Sequence, residues 1–289
     1  MRNFMAMLKA RFEQGKLVCV GLDSELGKIP KSAYCYENGD NFMFTNTIVA
    51  FNKRIIEATK DLVCAYKPNI AFYEAHGDKG LLALKLTIMC IHSIAPDVPV
   101  ILDAKRADIG NTNEGYAKSA FDFLGADAIT VHPYLGAEAL QPFLERKDKG
   151  IIVLCRTSNP GAGEFQDLLV DGQPLYQFIA RQVANYWNKN GNCILVVGAT
   201  YPEELKAVRD IVGDIPILIP GVGFQQKDVP LGEQVRQVVA NGQNSNGQGM
   251  IINAARSIIF ASEGADFAEA AHRETLKLHN LINQYRRVE

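Results

Sequence analysis

Short apolar stretches rich in β-branched residues alternate along this chain with longer stretches of helical periodicity. A buried strand is typically encoded by a short apolar run, whereas an amphipathic helix repeats its apolar residues every three or four positions. The apolar runs predict eight strands, at 17–22, 62–67, 98–102, 127–131, 150–155, 192–197, 215–219 and 249–252. Helical periodicity fills nearly every gap, at 43–60, 78–95, 111–124, 136–147, 173–189, 202–212 and 263–286. This repeat indicates a parallel sheet covered by helices.

The number of strand–helix units favours an α/β fold of the (β/α)₈ TIM-barrel type over an open doubly wound sheet, which usually has fewer strands. A Rossmann-like sheet is the alternative, but no G-x-G-x-x-G motif follows the first strand. A further helix, predicted at 3–14, precedes the first strand, and we expect it to close the barrel floor. With 289 residues, 47% of them hydrophobic, and no linker, we expect a single domain spanning 1–289.

Composition argues against several classes of protein. The formal net charge is only −2 and no basic cluster is interleaved with aromatics, so we expect no nucleic-acid partner. No apolar run approaches the roughly 20 residues that a membrane span needs, and the N-terminus lacks a long apolar segment, so we expect a cytoplasmic protein with no membrane partner. The six cysteines are scattered without a C-x-x-C, and no ligand stands at metal spacing to His132, so we expect no metal site. The ligand should be a small molecule.

A charged cluster follows the third predicted strand. Asp103, Lys105 and Asp108 come directly after the apolar run 98–102. The two-residue period of a strand puts Asp103 and Lys105 on one face, where they can pair. We expect a lysine held among carboxylates to stay protonated, ready to deliver a proton to a carbon that has become negative. A surface ion pair followed by a helix cap is the alternative, but a position at the mouth of a core strand favours an active site.

Polar residues also follow the other predicted strands. In a barrel, the residues after every strand share one rim, where catalytic loops lie. This rim would collect Asp23, Lys67, Asn69, Thr157, Ser158, Pro220, Gly221, Gly223, Gln225, Asn253, Ala255 and Arg256. Each alone could be a turn or capping residue. Together with the charged cluster they are typical of a binding site for an anionic small molecule.

The segments after strands seven and eight resemble a phosphate cradle. Gly221 and Gly223 would let the backbone approach a phosphate, Gln225 could donate an amide hydrogen bond, and Arg256 could bind two phosphate oxygens. A lone G-x-G more often marks a tight turn, and Arg256 could be a helix-surface charge. Their shared position after strands seven and eight, where barrels often hold phosphate, favours the cradle.

The motif Asp103-x-Lys105-x-x-Asp108, with Asp23, Lys67, Thr157-Ser158-Asn159-Pro160-Gly161 and Ala255-Arg256, resembles the orotidine 5′-phosphate decarboxylase family in its longer, bacterial-type branch. The resemblance covers essentially the whole chain. It implies a carboxy-lyase that converts orotidine 5′-monophosphate to uridine 5′-monophosphate and CO₂, the last step of de novo pyrimidine synthesis. It also implies a homodimer that uses no metal or organic cofactor.

The resemblance implies a role for each matching residue. Lys105 would protonate C6 of the pyrimidine, Asp103 would orient Lys105, and Asp103 and Asp108 would hold negative charge near the departing carboxylate. Asp108 and Thr112 would serve the neighbouring subunit's site across the dimer interface. The substrate-binding residues would be Asp23, Lys67 and Asn69 for the ribose hydroxyls, Ser158 for the pyrimidine edge, and Gln225, Ala255 and Arg256 for the phosphate, with Thr157 and Pro220 completing the set.

One residue departs from the family pattern, and two other functions stay open. Many members have glycine where this chain has Ala255. A metal-dependent sugar-phosphate aldolase of the hexulose-phosphate synthase type would use the motif's carboxylates to hold Mg²⁺ on the same scaffold. A catalytically dead barrel would bind a phosphate ligand without turning it over. Sensitivity to a chelator distinguishes the first, and binding without turnover identifies the second.

Overall fold

Eight parallel strands form a barrel in the computed structural model, which describes residues 2–35, 40–223 and 228–287, with backbone alone at 40–42. The strands are β1 (Val18–Gly21), β2 (Val63–Lys67), β3 (Ile101–Arg106), β4 (Ala128–Val131), β5 (Gly150–Arg156), β6 (Cys193–Val197), β7 (Ile217–Pro220) and β8 (Met250–Ala254). Their order in the sheet is β2-β1-β8-β7-β6-β5-β4-β3. Isolated bridges from Tyr66 to Val100 and from Asn69 to Asp103 join β2 to β3 and complete the circle. The predicted (β/α)₈ barrel is confirmed.

Helices surround the barrel and separate its strands. The α-helices span Phe4–Glu13, Asp40–Thr59, Ala71–Glu74, Gly77–Ile94, Gly110–Ala117, Gly136–Ala139, Gln141–Leu144, Gly163–Gln166, Leu175–Gln182, Pro202–Val212, Leu231–Gly242, Arg256–Ile259 and Phe267–Tyr285. Short 3₁₀ segments span Leu26–Lys28, Lys31–Ala33 and Pro160–Ala162, and π-helical segments span Lys118–Phe123 and Val183–Trp187. A two-stranded antiparallel ribbon, Leu169–Val170 with Gln173–Pro174, lies in the loop after β5. Within the described part of the chain, no helix is both long and apolar enough to cross a membrane.

The strands are buried on both faces, because side chains fill the barrel and the helices cover it. This is why they were visible in the sequence as continuous apolar runs. The thiols of Cys19, Cys64, Cys155 and Cys193 are free and buried in the strands. They behave as small core hydrophobes.

The first helix, Phe4–Glu13, closes the floor of the barrel, as predicted. Its N-terminus is capped by Asn3, whose Oδ1 accepts from the Ala6 N–H at 2.9 Å. The ring of Phe4 packs so closely on Gly150, at the start of β5, that a Cβ on Gly150 would come within 2.4 Å of it. Arg11 donates from Nε to the Val63 carbonyl at the start of β2, 2.8 Å away. The helix therefore lies across the N-terminal ends of the strands.

The clearest differences from the predictions concern the third strand and one helix. The third strand was predicted at 98–102 but spans Ile101–Arg106. Asp103 and Lys105 therefore lie within the strand and not after it. The helix Leu231–Gly242, between β7 and β8, was not predicted. Its signal is present in the sequence, since buried Val235, Val238 and Val239 follow helical spacing.

Candidate active site

Four alternating charges stand in a row at the mouth of the barrel. Lys67 Nζ donates to Asp103 Oδ2 at 3.0 Å, and Lys105 Nζ donates to Asp103 Oδ1 at 2.6 Å. Asp23 lies on the other side of Lys67, close enough for each charge to act on the other. Lys67 and Asp103 are buried, whereas the side chain of Lys105 is 49% exposed. We call Asp23, Lys67, Asp103 and Lys105 the charge row.

Burial and neighbouring charge compete along the charge row, and charge prevails at its centre. Burial raises the pKa of Asp103, but the ammonium groups of Lys67 and Lys105 outweigh burial and hold that pKa well below its usual range. Burial lowers the pKa of Lys67, but Asp103 and Asp23 outweigh it and hold the pKa above its usual value. For Asp23 burial prevails and raises the pKa, and Lys67 reverses only part of that shift. Asp103 and Lys67 therefore form a permanent ion pair at neutral pH.

The end of β3 is irregular where the motif lies. The register pairs on either side are Leu102 with Ile129 and Arg106 with Val131. Between these pairs β3 contains Asp103, Ala104 and Lys105, whereas β4 contains only Thr130. Lys105 has a φ of 47°, in the left-handed region that non-glycine residues rarely occupy. The predicted Asp103–Lys105 pair is present, but a bulge, and not the regular two-residue period, brings the two side chains together.

A cavity of about 400 Å³ opens above the charge row. It is lined by Lys67, Asp103, Lys105, Thr130, Leu154, Thr157, Ser158, Asn159, Gln166, Val196, Leu218 and Pro220. The structure thus brings together six of the predicted site residues: Lys67, Asp103, Lys105, Thr157, Ser158 and Pro220. A concave site that combines apolar walls with convergent polar groups is typical for a small ligand.

The loop after β5 is held in place by residues that the sequence analysis missed. Gln166 Oε1 accepts from the Thr157 N–H at 2.8 Å, and Gln166 Nε2 donates to Thr157 Oγ1 at 2.9 Å. Gly198, just after β6, lies against Ser158 so closely that a Cβ there would come within 2.5 Å of the Ser158 Cβ. Thr157 and Ser158 are therefore fixed at the cavity wall. A glycine directly after a strand was the only signal that pointed to this contact.

The predicted phosphate cradle lies on the neighbouring arc of the rim. Because β8 pairs with both β1 and β7, Ala255 and Arg256 follow β8 beside the turn that follows β7. Gly221 and Gly223 have φ values of 104° and 78°, so this turn itself requires glycine. Arg256 is exposed and begins the helix Arg256–Ile259. Gln225 lies outside the described residues.

The departure at Ala255 has a structural counterpart in β1. A Cβ on Gly21 would come within 2.5 Å of the Ala255 Cβ. The glycine in β1 therefore makes room for the methyl group after β8.

Two buried acceptor atoms face the mouth without a protein partner. Asp23 Oδ1 and Asn253 Oδ1 are buried and have no hydrogen-bond donor among the described residues. Buried polar atoms are normally paired, so these two are suited to receive donors from a ligand. The backbone N–H of Asn69 acts on the Asp23 carboxylate and lowers its pKa in part, while Asn69 Oδ1 accepts from the Ala71 N–H at 3.1 Å. Asn69 thus has a structural capping role next to Asp23.

Asp108 and Thr112 lie away from the cavity of their own chain. Asp108 follows β3, and its Oδ1 accepts from the Ile109 N–H at 2.7 Å. Asn113 Oδ1 accepts from the Asp108 N–H at 2.8 Å and fixes the turn. Thr112 is exposed on the helix Gly110–Ala117. Neither side chain lines the cavity above the charge row.

His132 contributes to the packing of the β3–β4 edge. The backbone N–H of His132 donates to the Arg106 carbonyl at 3.1 Å. His132 also lines a largely apolar cavity with residues of the segments after β4 and β5. Among residues 2–35, 40–223 and 228–287, no three His, Cys, Asp or Glu side chains are arranged to hold a metal ion.

Known proteins resemble this chain over most of its length. The sequence profile of the "Orotidine 5′-phosphate decarboxylase / HUMPS family" matches residues 16–271. Orotidine 5′-phosphate decarboxylase of Cellvibrio japonicus is 45% identical over 282 residues, which cover 97% of this chain and 98% of that one. The corresponding protein of Herpetosiphon aurantiacus is 51% identical over 257 residues, covering 89% and 88%. The solved structure of Leishmania donovani OMP decarboxylase superposes with a TM-score of 0.80 at 36% identity, covering 97% and 99%.

Proposed function

The chain belongs to the orotidine 5′-phosphate decarboxylase / HUMPS family, and on this premise we propose how its charge row works. Its near-full-length relatives are orotidine 5′-phosphate decarboxylases, so its reaction is the decarboxylation of orotidine 5′-monophosphate to uridine 5′-monophosphate in pyrimidine synthesis. These relatives do not favour the sugar-phosphate aldolase alternative. The residue roles below are our proposal for how this chain performs the reaction.

One observation carries the proposal: an ammonium group fixed on a buried carboxylate and half open to a cavity. Loss of CO₂ breaks the bond between C6 and the carboxylate carbon and leaves the electron pair on C6. Lys105 Nζ then transfers a proton to C6, becomes a neutral amine and is reprotonated from solvent. Asp103 fixes the ammonium next to C6, and its negative charge faces the departing carboxylate.

The required lowering of the activation barrier is larger than the Lys105 ammonium alone can supply. One ammonium about 4 Å from a carbanion contributes on the order of 4 kcal/mol at an effective dielectric near 20. Enzymes lower barriers by roughly 8–23 kcal/mol, and a carbanion without a delocalising group should need the upper part of that range. Binding energy from the ribose and phosphate must supply the rest by holding the pyrimidine against the charge row.

The remaining site residues are assigned to the parts of the nucleotide. The unpartnered Asp23 Oδ1 supports ribose binding, with Lys67 and Asn69 beside it. Ser158, held at the cavity wall, supports recognition of the pyrimidine edge, with Thr157 and Pro220 nearby. The left-handed turn glycines and the exposed Arg256 support phosphate binding at the β7–β8 arc, with Ala255 and Gln225 assigned there from the sequence.

The proposal is tested by following the loss of substrate absorbance with orotidine 5′-monophosphate in the presence of EDTA. We expect Lys105→Ala to lower kcat by about 10⁴-fold, the upper end for a general acid. Lys105→Arg retains the positive charge but cannot release a proton at neutral pH, so it should be nearly as slow. Lys206→Ala, which removes an exposed lysine paired with Asp210, is the matched control and should keep full activity.

Each competing reading has its own outcome in this assay. No turnover of orotidine 5′-monophosphate, together with cleavage of a sugar phosphate that requires Mg²⁺ and is abolished by EDTA, would point to the metal-dependent aldolase. Absence of turnover, together with binding of a phosphate ligand, would point to a catalytically dead barrel. Full activity of Lys105→Ala would show that another group protonates C6.

We further propose that the protein acts as a homodimer in which Asp108 and Thr112 reach the neighbouring subunit's site. Both lie outside their own cavity, on the segment after β3. Exposed apolar side chains surround this segment: Ile109 is 61% exposed and Tyr134, after β4, is 88% exposed. Asn113 Nδ2 donates to the Ala139 carbonyl at 2.6 Å and ties the two segments into one surface. An exposed apolar surface of this kind is suited to self-association.

Mixing two inactive variants tests the shared site. Lys105→Ala and Asp108→Ala should each be inactive alone. In mixed dimers one of the two sites is intact, so randomly assorted subunits should regain up to about a quarter of wild-type activity. No recovery, with sedimentation showing that subunits have exchanged, would place Asp108 in its own chain's site; a monomeric wild type would contradict the dimer.

We also propose a cytoplasmic location. All six cysteines are free thiols, and four of them are buried in strands. Free thiols are typical of a reducing compartment. Recovery of the protein with the periplasmic or secreted fraction of its native host would contradict this.

A further inference from the structure

Thr130 occupies an unusual position opposite the motif. It is 1% exposed and is the only residue of β4 that faces the three-residue bulge of β3. Its Oγ1 accepts from the Ala104 N–H and from the Lys105 N–H, both at 2.9 Å. The same hydroxyl donates to Asp103 Oδ1 at 2.9 Å. One hydroxyl group therefore contacts all three residues of the bulge.

These contacts stabilise a backbone conformation of Lys105 that is unfavourable by itself. Lys105 has a φ of 47°, and a non-glycine residue in the left-handed region costs on the order of 1–3 kcal/mol unless its surroundings enforce it. In a regular strand the N–H groups of Ala104 and Lys105 would point to opposite sides, whereas here both point to the Thr130 hydroxyl. The bulge depends on an acceptor that can take two consecutive N–H groups.

The proton of the Thr130 hydroxyl is donated to Asp103, the ion-pair partner of Lys105. Asp103 Oδ1 accepts hydrogen bonds from Thr130 Oγ1 at 2.9 Å and from Lys105 Nζ at 2.6 Å, while Asp103 Oδ2 accepts one from Lys67 Nζ. Thr130 thus fixes the rotation of the carboxylate as well as the backbone of the lysine. The distance and direction between Asp103 and Lys105 are set from β4.

We propose that Thr130 is a positioning residue for the decarboxylation, holding the Lys105 ammonium and the Asp103 carboxylate in their reactive arrangement from the neighbouring strand. This inference rests on the proposed function of Lys105. Thr130 itself performs no bond-making step; it acts through Lys105. The sequence analysis assigned it no role, because nothing in 127–131 distinguishes this threonine from an ordinary strand residue.

Three substitutions separate positioning from packing. Thr130→Val keeps the shape and removes the hydroxyl, and we expect kcat to fall about tenfold to a hundredfold, as for one lost hydrogen bond to a charged group, while KM stays within about threefold. Thr130→Ser restores the hydroxyl and should recover at least about half of kcat. If Thr130→Val does not fold, Thr130→Ala also removes the hydroxyl and should show the same selective loss of kcat.

Thr275→Val is the matched control. Thr275 is fully buried and its hydroxyl donates to the Ala271 carbonyl at 2.7 Å within the last helix, so the same exchange removes a comparable hydrogen bond away from the cavity. We expect unchanged kcat with some loss of thermal stability. A kcat for Thr130→Val equal to that of Thr275→Val, or a serine variant as slow as the valine variant, would overturn the positioning role.

A crystal structure of Thr130→Val decides the point without activity. We expect Lys105 to leave its positive φ, or its Nζ to move beyond hydrogen-bond distance of Asp103. An unchanged bulge and ion pair would overturn the proposal. Wild-type protein that does not turn over orotidine 5′-monophosphate would overturn the proposed function, and this structural comparison would still decide whether Thr130 positions Lys105.

Discussion

Two buried aspartates, Asp103 at the mouth of the barrel and Asp127 at its floor, both have a lowered carboxyl pKa but differ in their surroundings. At the floor, burial raises the pKa of Asp127, but the Arg2 guanidinium, together with His92 and the Val100 N–H, outweighs burial and holds that pKa at about 2. Arg2 reaches both carboxylate oxygens at 2.8 Å, and the Val100 N–H donates to Oδ2 at 2.9 Å. Arg2 also donates to the carbonyls of Pro96 and Val98. His92 Nε2 lies 3.7 Å from Oδ2 as well, so groups of the protein itself surround this carboxylate.

At the mouth the network is open. Asp103 is held by two lysines, but one of them, Lys105, exposes half of its side chain to a cavity. An unpartnered acceptor of Asp23 lies beside Lys67, and another belongs to Asn253, which pairs with the cavity-lining Pro220. A lowered carboxylate pKa by itself therefore does not mark an active site. What distinguishes the mouth is that its charged network opens onto a cavity lined by further polar groups.

The largest expected effect comes from neutralising each aspartate. Asp103→Asn should lower kcat/KM by about 10⁴-fold, because it releases the proton donor, and should also destabilise the fold by about 3 kcal/mol, because it leaves Lys67 buried with less compensation. Asp127→Asn should destabilise the fold by about 2 kcal/mol while kcat/KM at 25 °C stays within about twofold. Steady-state kinetics and urea unfolding of both variants provide the comparison. If Asp127→Asn lost activity as Asp103→Asn does, the distinction between floor and mouth would be wrong.

Arg256 is a charged residue on the exposed part of the rim, after β8. Arg256→Ala should lower kcat/KM by about 10³-fold, as for two lost charge-assisted hydrogen bonds to phosphate, without a change in thermal stability. Arg146→Ala removes an arginine that pairs with Asp122 on the surface, and it should change neither quantity appreciably. Near-wild-type kcat/KM for Arg256→Ala would remove Arg256 from the phosphate site.

The smallest expected effect is one that both aspartates share. Folding lowers both carboxyl pKa values, so their stabilisation is complete above about pH 4, where the unfolded carboxyls ionise, and is lost as pH falls through the folded values, about 2 for Asp127. The free energy of unfolding should therefore fall between pH 4 and pH 2. Asp127→Asn should remove about 2 kcal/mol of that fall in urea titrations over pH 2.5–7. Parallel curves for the variant and the wild type would contradict the assignment.

The fold was predictable because barrel strands carry their signal locally. All eight strands lay within a few residues of their predicted positions, since strands buried on both faces become continuous apolar runs. The error at β3 has the same origin. Asp103 and Lys105 are polar, so the apolar run stopped at 102 although the strand continues to Arg106.

The sequence alone determined the types of charge and their place on the rim: a lysine between aspartates after the third apolar run, with Lys67, Ser158 and Arg256 following other strands. Spacing and residue type are local properties, and they were sufficient for this. The tertiary structure decided the bulge, the left-handed Lys105 and its attachment to Thr130, and the contacts of Gly21 with Ala255 and of Gly198 with Ser158. These features depend on strand register and on close approach between segments far apart in the chain, which no local pattern records.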